Sequence, residues 1–384
     1  MLYRPFGRTG EQVSALGFGC MRLPVIDGRR EMIDVPLATE MLHYAIDHGV
    51  NYVDTAFPYH GTSFNEPGNS EGFVGEALQG GYREKVLVAT KLPVWIVESR
   101  DDMERILEGQ LQRMKTDRID CYLMHALNAK MWPKMRDLGA IEFLEAAKAD
   151  RRIGYAGFSY HDEPTAFAPI IDGYSWDFCQ IQYNYMDAAI QAGTAGLAYA
   201  ADKGMAVIVM EPVKGGLLAT APPAIQGIWD SAKTRRPPVE WALRWVLDDV
   251  RASMLLSGMS TMEQVVQNVR IASEVAAGSL TSDELELIDS VRQAYLTRTA
   301  VDCTGCRYCQ PCPQGIAIPM IFSVVNEAAL FEDPARSAIG YRIALEQGHT
   351  APYTDCTECG TCEEHCPQQL KIPEELAKAG RILG

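Results

Sequence analysis

The sequence predicts an α/β protein: a (β/α)8 TIM barrel followed by a small α-helical domain. Short runs rich in β-branched residues alternate with longer helical patterns, and eight such units in about 280 residues are typical of a barrel. Eight of the eleven cysteines then lie between Cys303 and Cys366, which sets the last part of the chain apart. We therefore expect the barrel at residues 1–295 and the second domain at residues 296–384.

The predicted strands and helices follow one another in regular order. The strands span residues 13–19, 51–55, 85–91, 119–125, 153–159, 178–184, 205–211 and 253–258. The helical patterns between them include residues 38–49, 101–114, 139–151 and 238–249. Residues 260–263 (STME) and 281–284 (TSDE) have the form of capping boxes, which predict two further helix starts. A doubly wound sheet is the alternative, but the sequence has no GxGxxG after a strand and no GxxxxGKS/T motif.

Charge and composition exclude several classes of protein. The net charge of −15 argues against nucleic acid and against an anionic membrane surface as partners. No apolar run reaches the roughly 18 residues of a membrane span, and the first residues show no secretory signal. Disulfides belong mainly to exported proteins, so clustered cysteines in a chain without an export signal are expected to be metal ligands in the cytoplasm. The oligomeric state stays open.

The clustered cysteines form two runs. The first is Cys303-x2-Cys306-x2-Cys309-x2-Cys312-Pro, and the second is Cys356-x2-Cys359-x2-Cys362-x3-Cys366-Pro. The second run has the bacterial ferredoxin spacing, in which the fourth cysteine usually binds the other of two clusters. The first run is one residue shorter before its last cysteine. Two four-cysteine zinc sites are the alternative, but such sites usually pair two CxxC knuckles and do not use a third cysteine at x2.

The runs predict two 4Fe–4S clusters that exchange their fourth ligands. One cluster is assigned to Cys303, Cys306, Cys309 and Cys366, and the other to Cys356, Cys359, Cys362 and Cys312. An internal repeat supports the exchange, because CPQGIAIP (312–319) and CPQQLKIP (366–373) share one frame and each leads into a helical pattern. The long helical segment between the runs makes this part of the chain resemble the α-helical dicluster ferredoxins found in several redox enzymes.

Polar residues with catalytic potential lie at the ends of three consecutive predicted strands. Asp54 ends the second strand and Tyr59 follows it, while Lys91 and His125 end the third and fourth strands. The active sites of (β/α)8 barrels lie at this carboxyl end of the strands. The position of these four side chains therefore predicts a catalytic site.

Three segments carry a resemblance to the aldo-keto reductases. DTAFPY (54–59), ATK (89–91) and YLMH (122–125) are similar to the catalytic segments of that family, and the resemblance extends over roughly residues 1–277. It implies a tetrad of Asp54, Tyr59, Lys91 and His125. Tyr59 would then donate a proton to a carbonyl oxygen, Lys91 would lower the pKa of Tyr59, Asp54 would hold Lys91, and His125 would orient the oxygen.

The resemblance also implies a nicotinamide cofactor, with an incomplete set of matching residues. Ser159 and Gln180 match the residues that hold the carboxamide, and Met210 takes the place of an aromatic residue against the nicotinamide ring. The pyrophosphate and the adenine end correspond to Lys214, Gly215, Gly216, Glu263 and Asn268. Gly258 and Gln264 replace the Lys and Arg that commonly bind the 2′-phosphate, so the choice between NADH and NADPH stays open.

Barrel and cysteine runs together resemble aldo-keto reductases fused to a dicluster ferredoxin-like domain. The leading hypothesis is an oxidoreductase that reduces a small carbonyl or oxidises an alcohol with nicotinamide, coupled to or supported by the clusters. A ferredoxin or flavoprotein is a candidate electron partner, because hydride transfer moves two electrons and each cluster passes one. The alternatives are an electron-transfer protein that docks a partner on the barrel, and an iron or redox sensor, which the tetrad disfavours.

Overall fold

The computed structural model describes residues 1–303 and 305–383, which fold as two compact units. The first unit combines Met1–Ala219 with Val239–Thr281. The second combines Thr220–Pro238 with the chain from Ser282 onward. The domain boundary expected after residue 295 stays a prediction that limited proteolysis can test.

The first unit contains a closed barrel of eight parallel strands, which confirms the predicted fold class. A short antiparallel hairpin of β1 (Tyr3–Pro5) and β2 (Gln12–Ser14) precedes the barrel. The barrel strands are β3 (Leu16–Gly19), β4 (Tyr52–Asp54), β5 (Leu87–Leu92), β6 (Ile119–Leu127), β7 (Ile153–Tyr160), β8 (Phe178–Gln182), β9 (Ala206–Met210) and β10 (Met254–Gly258). They pair in chain order, and β10 closes the ring on β3.

The first predicted strand, residues 13–19, is in fact two strands. Ser14 ends the strand that pairs with β1, and Leu16 begins the strand that enters the barrel. The sequence reasoning missed β1 because three residues, Tyr3–Pro5, are too short for a periodic pattern. Phe6, which follows β1, is fully buried in an apolar cluster with Tyr52 and Phe178.

The helices and their caps follow from local sequence. Their bounds are α1 (Val35–Asp47), α2 (Ser70–Ala77), α3 (Arg100–Arg113), α4 (Met131–Asp137), α5 (Ala140–Ala149), α6 (Pro164–Asp172), α7 (Gly193–Asp202), α8 (Pro223–Trp229), α9 (Pro238–Asp248), α10 (Met262–Glu274) and α11 (Ser282–Leu296). The box at residues 260–263 was placed one residue early, since Thr261 caps α10 by accepting from Gln264 N–H. The Ser260 hydroxyl instead donates to the Arg22 carbonyl.

The second unit is α-helical, as predicted. Beyond α11 it contains α12 (Ile318–Phe331), α13 (Pro334–Glu346), α14 (Thr361–Glu364) and α15 (Ile372–Leu383). Phe322, Tyr341 and Leu376 are among the residues of its apolar core, and six of the eight clustered cysteines are partly buried against that core. None of the described helices is both long and apolar enough to cross a membrane.

Candidate active site and iron–sulfur centre

The barrel brings the four side chains of the predicted tetrad to one end. Asp54 ends β4, Lys91 lies in β5 and His125 lies in β6, while Tyr59 is in the turn after β4. Neighbouring parallel strands place these positions side by side at the carboxyl rim of the barrel. The side chains of Asp54 and Lys91 are 2% and 1% exposed, so their charges are removed from water and depend on each other.

The Lys91 ammonium is fully hydrogen-bonded. Its Nζ donates to Asp54 Oδ1 at 2.6 Å, to the Thr55 carbonyl at 2.8 Å and to the Tyr59 hydroxyl at 3.3 Å. An ammonium has three donors, so these contacts satisfy it completely. Burial lowers the pKa of Lys91, but the Asp54 carboxylate and Tyr59 raise that pKa by more. Lys91 therefore stays charged beside the tyrosine.

Asp54 is held from the opposite side of the barrel. Gln180 in β8 donates its Nε2–H to Asp54 Oδ2 at 2.6 Å. Its other amide atom, Oε1, is buried and has no hydrogen-bond partner in the part of the chain that the structure describes. A buried acceptor of this kind is costly to leave unpaired, so it fits an N–H donor from a ligand such as a carboxamide. Sequence reasoning did not foresee the bond between Gln180 and Asp54, which depends on barrel closure.

The pKa of Tyr59 differs from the sequence-based expectation. Burial raises this pKa and Lys91 lowers it, and burial has the larger effect, so the pKa lies above its ordinary value. Lys91 lowers the pKa of Tyr59 as expected, but burial, to which Asp54 and Cys20 add, leaves that pKa above its ordinary value. A phenol with a raised pKa is protonated at neutral pH and can serve as an acid, while Lys91 stabilises the tyrosinate formed when the proton leaves.

A bulge in β6 includes His125. The pairing of β6 with β7 shifts register between Met124 and Leu127, and Ala126 adopts a left-handed φ of 52°. The Ala126 N–H donates to Ser159 Oγ at 2.8 Å, which anchors the bulge to β7. Bulges of this kind often re-aim a side chain next to an active site. The His125 ring meets Tyr59 edge-on, with centroids 6.1 Å apart.

His125 is neutral in this environment. Burial lowers its pKa well below the ordinary value, and the nearby charges of Lys91 and His161 lower it further. His125 Nδ1 is buried and has no hydrogen-bond partner among the described residues. Trp95, in the short helical turn Val94–Ile96 after β5, lies beside the His125 ring with centroids 5.1 Å apart. The sequence assigned no role to this contact.

The residues expected to bind the cofactor lie on β7, β8 and β9 and on α10, which follows β10. Ser159 in β7 pairs directly with Gln180 in β8, and Met210 ends β9. Glu263 is exposed in the first turn of α10, after β10. Asn268 is buried, and its Nδ2 donates to Ser257 Oγ at 3.1 Å.

The turn after β9 contains the three residues expected at the pyrophosphate. Gly215 and Gly216 have φ values of 63° and 97°, a conformation that favours glycine. Lys214 forms an ion pair, in which its Nζ lies 2.8 Å from the Asp187 carboxylate. Asp187 is 4% exposed and also accepts from Gln182 and Asn184. The sequence did not indicate this polar cluster.

Four cysteines of the second unit line one small cavity. They are Cys303, Cys306, Cys309 and Cys366, three from the first run and the last from the second. The remaining wall is largely apolar and includes Ile318, Phe322 and Leu370. Four thiols around a mostly apolar space form the donor set of a cubane, in which each thiolate binds a different iron. Among the described residues, no three His, Cys, Asp or Glu side chains converge as ligands of a single metal ion.

Cys362 of the second run lies near thiols of both runs. Its pKa is raised to about 11, first by burial and then by Cys356, Cys359 and Cys309. Cys306 and Cys359 are exposed, whereas the other six clustered cysteines are partly buried. Each run therefore presents one thiol at the surface.

The backbone repeats between the two runs. Left-handed φ angles recur at three pairs of matching positions: Gly305 with Glu358, Arg307 with Gly360, and Gly315 with Gln369. Each pair stands at the same distance after a corresponding cysteine. The loops around the cysteines therefore share one conformation although half of these positions are not glycine, which extends the repeat seen in the sequence to the structure.

Comparison with known proteins agrees with both units. Residues 15–293 match the model of the Aldo/keto reductase family, and residues 302–371 match the 4Fe-4S dicluster domain. The oxidoreductase YrpG of Bacillus subtilis (strain 168) is 32% identical over 232 residues, covering 57% of this chain and 68% of that protein. L-galactose dehydrogenase of Arabidopsis thaliana is 25% identical over 308 residues, covering 75% of this chain and 93% of that protein.

A solved structure shares the barrel. The aldo-keto reductase AKR11C1 from Bacillus halodurans, in its holo form, aligns with a TM-score of 0.61 at 27% identity, covering 76% of this chain and 96% of that one. The family match spans most of the residues that build the closed barrel. The chain therefore belongs to the aldo/keto reductase family, and it carries a 4Fe–4S dicluster domain in residues 302–371.

Proposed function

We propose that the barrel interconverts a small carbonyl compound and its alcohol, with NADH or NADPH as the hydride carrier. The observation that carries the proposal is the buried Lys91 ammonium, which bonds both the Asp54 carboxylate and the Tyr59 hydroxyl. In this arrangement Tyr59 would be a proton donor beside a fixed positive charge, which is what carbonyl reduction needs at the oxygen. Bound nicotinamide would supply the hydride to the carbonyl carbon.

The chain's own residues would handle the proton. The Tyr59 hydroxyl donates its proton to the carbonyl oxygen as negative charge develops there, and Lys91 stabilises the resulting tyrosinate. Asp54 keeps Lys91 charged and in place through the contact at 2.6 Å. His125 donates a second hydrogen bond to the same oxygen and orients it. In the oxidation direction, the tyrosinate accepts the alcohol proton.

The cofactor would lie across the ends of β7 to β10. Gln180 Oε1 and Ser159 would receive the carboxamide, with Met210 against the ring. The remaining contacts would come from Lys214, Gly215, Gly216, Glu263 and Asn268. Lys214 is paired with Asp187, so phosphate binding at Lys214 would compete with that ion pair.

The second unit would hold two 4Fe–4S clusters, with Cys366 and Cys312 exchanged between the two runs. The cavity lined by Cys303, Cys306, Cys309 and Cys366 supports the first of these ligand sets. Such thiol sites need a reducing compartment, so the proposal places the protein in the cytoplasm.

A second candidate function is electron transfer through the clusters. The exposure of Cys306 and Cys359 favours it, because each run then offers a surface thiolate near which a one-electron partner can approach. A ferredoxin or a flavoprotein would suit this role. In this alternative the barrel binds the substrate or partner, and electrons arrive from the clusters rather than as hydride.

Anaerobic turnover assays separate the two functions. Small aldehydes, ketones, quinones and sugars are screened with NADH, NADPH and a low-potential dye, the sugars because of the relative named for L-galactose. If hydride transfer is correct, Tyr59→Phe lowers kcat by roughly 10²–10⁴-fold, the usual contribution of general acid catalysis, while Cys309→Ser leaves most turnover intact. The reverse pattern, with turnover lost in Cys309→Ser and kept in Tyr59→Phe, would favour electron transfer.

A further inference from the structure

The pairing of β5 with β4 ends just before Lys91. Its last pair is Asp54 with Ala89, and the Ala89 carbonyl accepts from the N–H of Thr55 at 2.8 Å. Backbone carbonyls two residues apart in a strand point to the same side, so the Lys91 carbonyl also faces β4, beyond the point at which β4 ends. Because Lys91 is buried, its carbonyl needs a partner from outside the sheet.

Gln110 in α3 supplies that partner. Its side chain is fully buried, and its Nε2 donates to the Lys91 carbonyl at 3.0 Å. The same Nε2 donates to Glu71 Oε1 at 2.7 Å, while Gln110 Oε1 accepts from the Tyr122 hydroxyl at 2.8 Å. A flipped amide would direct its oxygen at a carbonyl and a carboxylate, neither of which can donate. The neighbours of Gln110 therefore fix the orientation of its amide.

Glu71 in α2 holds the amide in place. Glu71 is fully buried, and its Oε1 accepts from Gln110 Nε2 and also from Thr90 Oγ1, the latter at 2.6 Å. Its other oxygen accepts from Arg113 Nε at 2.8 Å, so the buried charge is paired. Hydrogen bonds to an ionised carboxylate are shorter and stronger than those between neutral groups. The carboxylate thus joins α2 to β5, through Thr90, and to α3.

The first turn of α2 also holds Tyr59. Ser70, the residue before Glu71, donates its backbone N–H to the Tyr59 carbonyl at 3.2 Å. The turn that contains the hydroxyl and the strand that contains the ammonium are therefore bonded to the same helix end. Between them lies the contact of Lys91 Nζ with the Tyr59 hydroxyl, which at 3.3 Å is the longest of the three hydrogen bonds of that ammonium.

We propose that Gln110 is a positioning residue, which binds the Lys91 carbonyl where the pairing with β4 ends and so keeps the Lys91 ammonium against the Tyr59 hydroxyl. Glu71 orients the amide for this role. The inference rests on the proposed function for its purpose, because proton transfer by Tyr59 is what requires that contact. Gln110 acts through the backbone of Lys91 rather than on a substrate. Without its amide, the longest hydrogen bond of the ammonium should lengthen first.

Nitrogen NMR of the full chain, labelled with ¹⁵N-lysine and with its clusters oxidised, tests the inference without a substrate. The ammonium protons of a buried, hydrogen-bonded lysine exchange slowly with water, and the Lys91 signal is identified by its loss in Lys91→Met. In Gln110→Met, which keeps the length of the side chain but removes the amide, we expect this exchange to be at least about fivefold faster, the effect of one lost hydrogen bond. Tyr122→Phe is the matched control, since it removes a bond to Gln110 Oε1 and leaves the bond from Nε2 to Lys91.

A second variant covers the case in which Gln110→Met does not fold. Gln110→Asn keeps the amide but shortens the side chain by one methylene, so it withdraws the donor from the Lys91 carbonyl, and exchange should again be faster. Unchanged exchange in the folded Gln110 variants would overturn the inference. An equal increase in Tyr122→Phe would overturn it as well, because the effect would then come from a general loosening of the core.

Kinetics provide the second readout. Gln110→Met should lower kcat by about tenfold to 10²-fold, with little change in KM, because a displaced catalytic group affects the chemical step. Lys91 lowers the pKa of Tyr59, so the alkaline limb of the pH profile for reduction should move to higher pH in Gln110→Met and stay in place in Tyr122→Phe. Because ammonium exchange is read without turnover, the inference and the proposed function can fail separately.

Discussion

The tetrad in the barrel and the cysteine runs in the second unit differ in how many of their interactions the polypeptide itself supplies. Lys91 has three hydrogen-bond acceptors from its own chain, and Asp54 is held by Gln180 as well. Four cysteines of the second unit instead line a small cavity between them. A site closed by its own hydrogen bonds keeps its geometry without a ligand, whereas thiols around a cavity depend on what fills it.

The largest effect is expected on removal of iron and sulfide from the second unit. Its small core, which includes Phe322 and Tyr341, is packed against cysteines that would lose their common partner. Limited proteolysis of the cluster-free protein should leave a fragment that ends near residue 295, and this also tests the predicted domain boundary. Equal protease resistance with and without iron would contradict the dependence on metal.

Replacement of Lys91 tests the tetrad, the site whose geometry depends on the chain's own hydrogen bonds. Lys91→Met should lower kcat by at least about 10²-fold, because the tyrosinate formed on proton transfer loses its neighbouring charge. Lys91 lowers the pKa of Tyr59, so that pKa should rise further in the variant. Reduction requires the protonated phenol, so the alkaline limb of its pH profile should move to higher pH.

Lys91→Arg provides the control for that variant because it keeps the positive charge. It should retain part of the activity, and its alkaline limb should stay closer to that of the parent protein. Iron content should be the same in the parent protein, in Lys91→Met and in Lys91→Arg. An unchanged pH profile in Lys91→Met would remove Lys91 from the proposed proton transfer.

The backbone of Tyr59 depends on a glycine. A Cβ at Gly68 would overlap the Tyr59 carbonyl oxygen and lie 2.6 Å from the Gly61 nitrogen. Gly68→Ala should therefore shift the turn that carries the hydroxyl, and a displacement of about 1 Å can lower turnover by up to about 10²-fold. Gly72→Ala in α2 is the matched control, since a Cβ there meets nothing within 4 Å. Equal kinetics of the two variants would show that the turn adapts freely.

The exchange of fourth ligands predicts which cysteine variants behave alike. Cys309→Ser and Cys366→Ser should each disturb the same cluster, although the residues belong to different runs, because both line the same cavity. Cys362→Ser should disturb the other cluster. Iron content should fall by about half in each, and the EPR spectra of the reduced proteins should group the first two together. A spectrum of Cys366→Ser that matches Cys362→Ser would refute the exchange.

The sequence predicted the barrel and the helical domain because both depend on local patterns. The eight barrel strands were recognisable as runs of β-branched residues. The tetrad residues lie at, or just after, the ends of three of these strands. Contacts set by register and closure were not predictable in the same way: the bond from Gln180 to Asp54 crosses the barrel, and the pairing of Lys214 with Asp187 joins two turns. The raised pKa of Tyr59 was missed because burial has no local pattern.

The smallest effect concerns the repeated loops around the cysteines. Glu358 has a left-handed φ of 52° at the position where the first run has Gly305, with a φ of 70°. A side chain in this conformation costs roughly 1–2 kcal/mol, part of which is offset because glycine also gains freedom in the unfolded chain. Glu358→Gly should therefore raise the stability of the second unit by up to about 1 kcal/mol, measured anaerobically with the clusters in place.

Two controls isolate the backbone contribution in that experiment. Glu286→Gly makes the same change inside α11, where glycine should destabilise by about 0.5–1 kcal/mol instead. Gly305→Ala imposes the reverse change on the first run, and because a Cβ there meets nothing within 4 Å, any loss of stability comes from the backbone angle alone. If Glu358→Gly destabilises the unit as Glu286→Gly does, the carboxylate contributes more than the left-handed angle costs, and the two runs are equivalent in shape but not in what stabilises them.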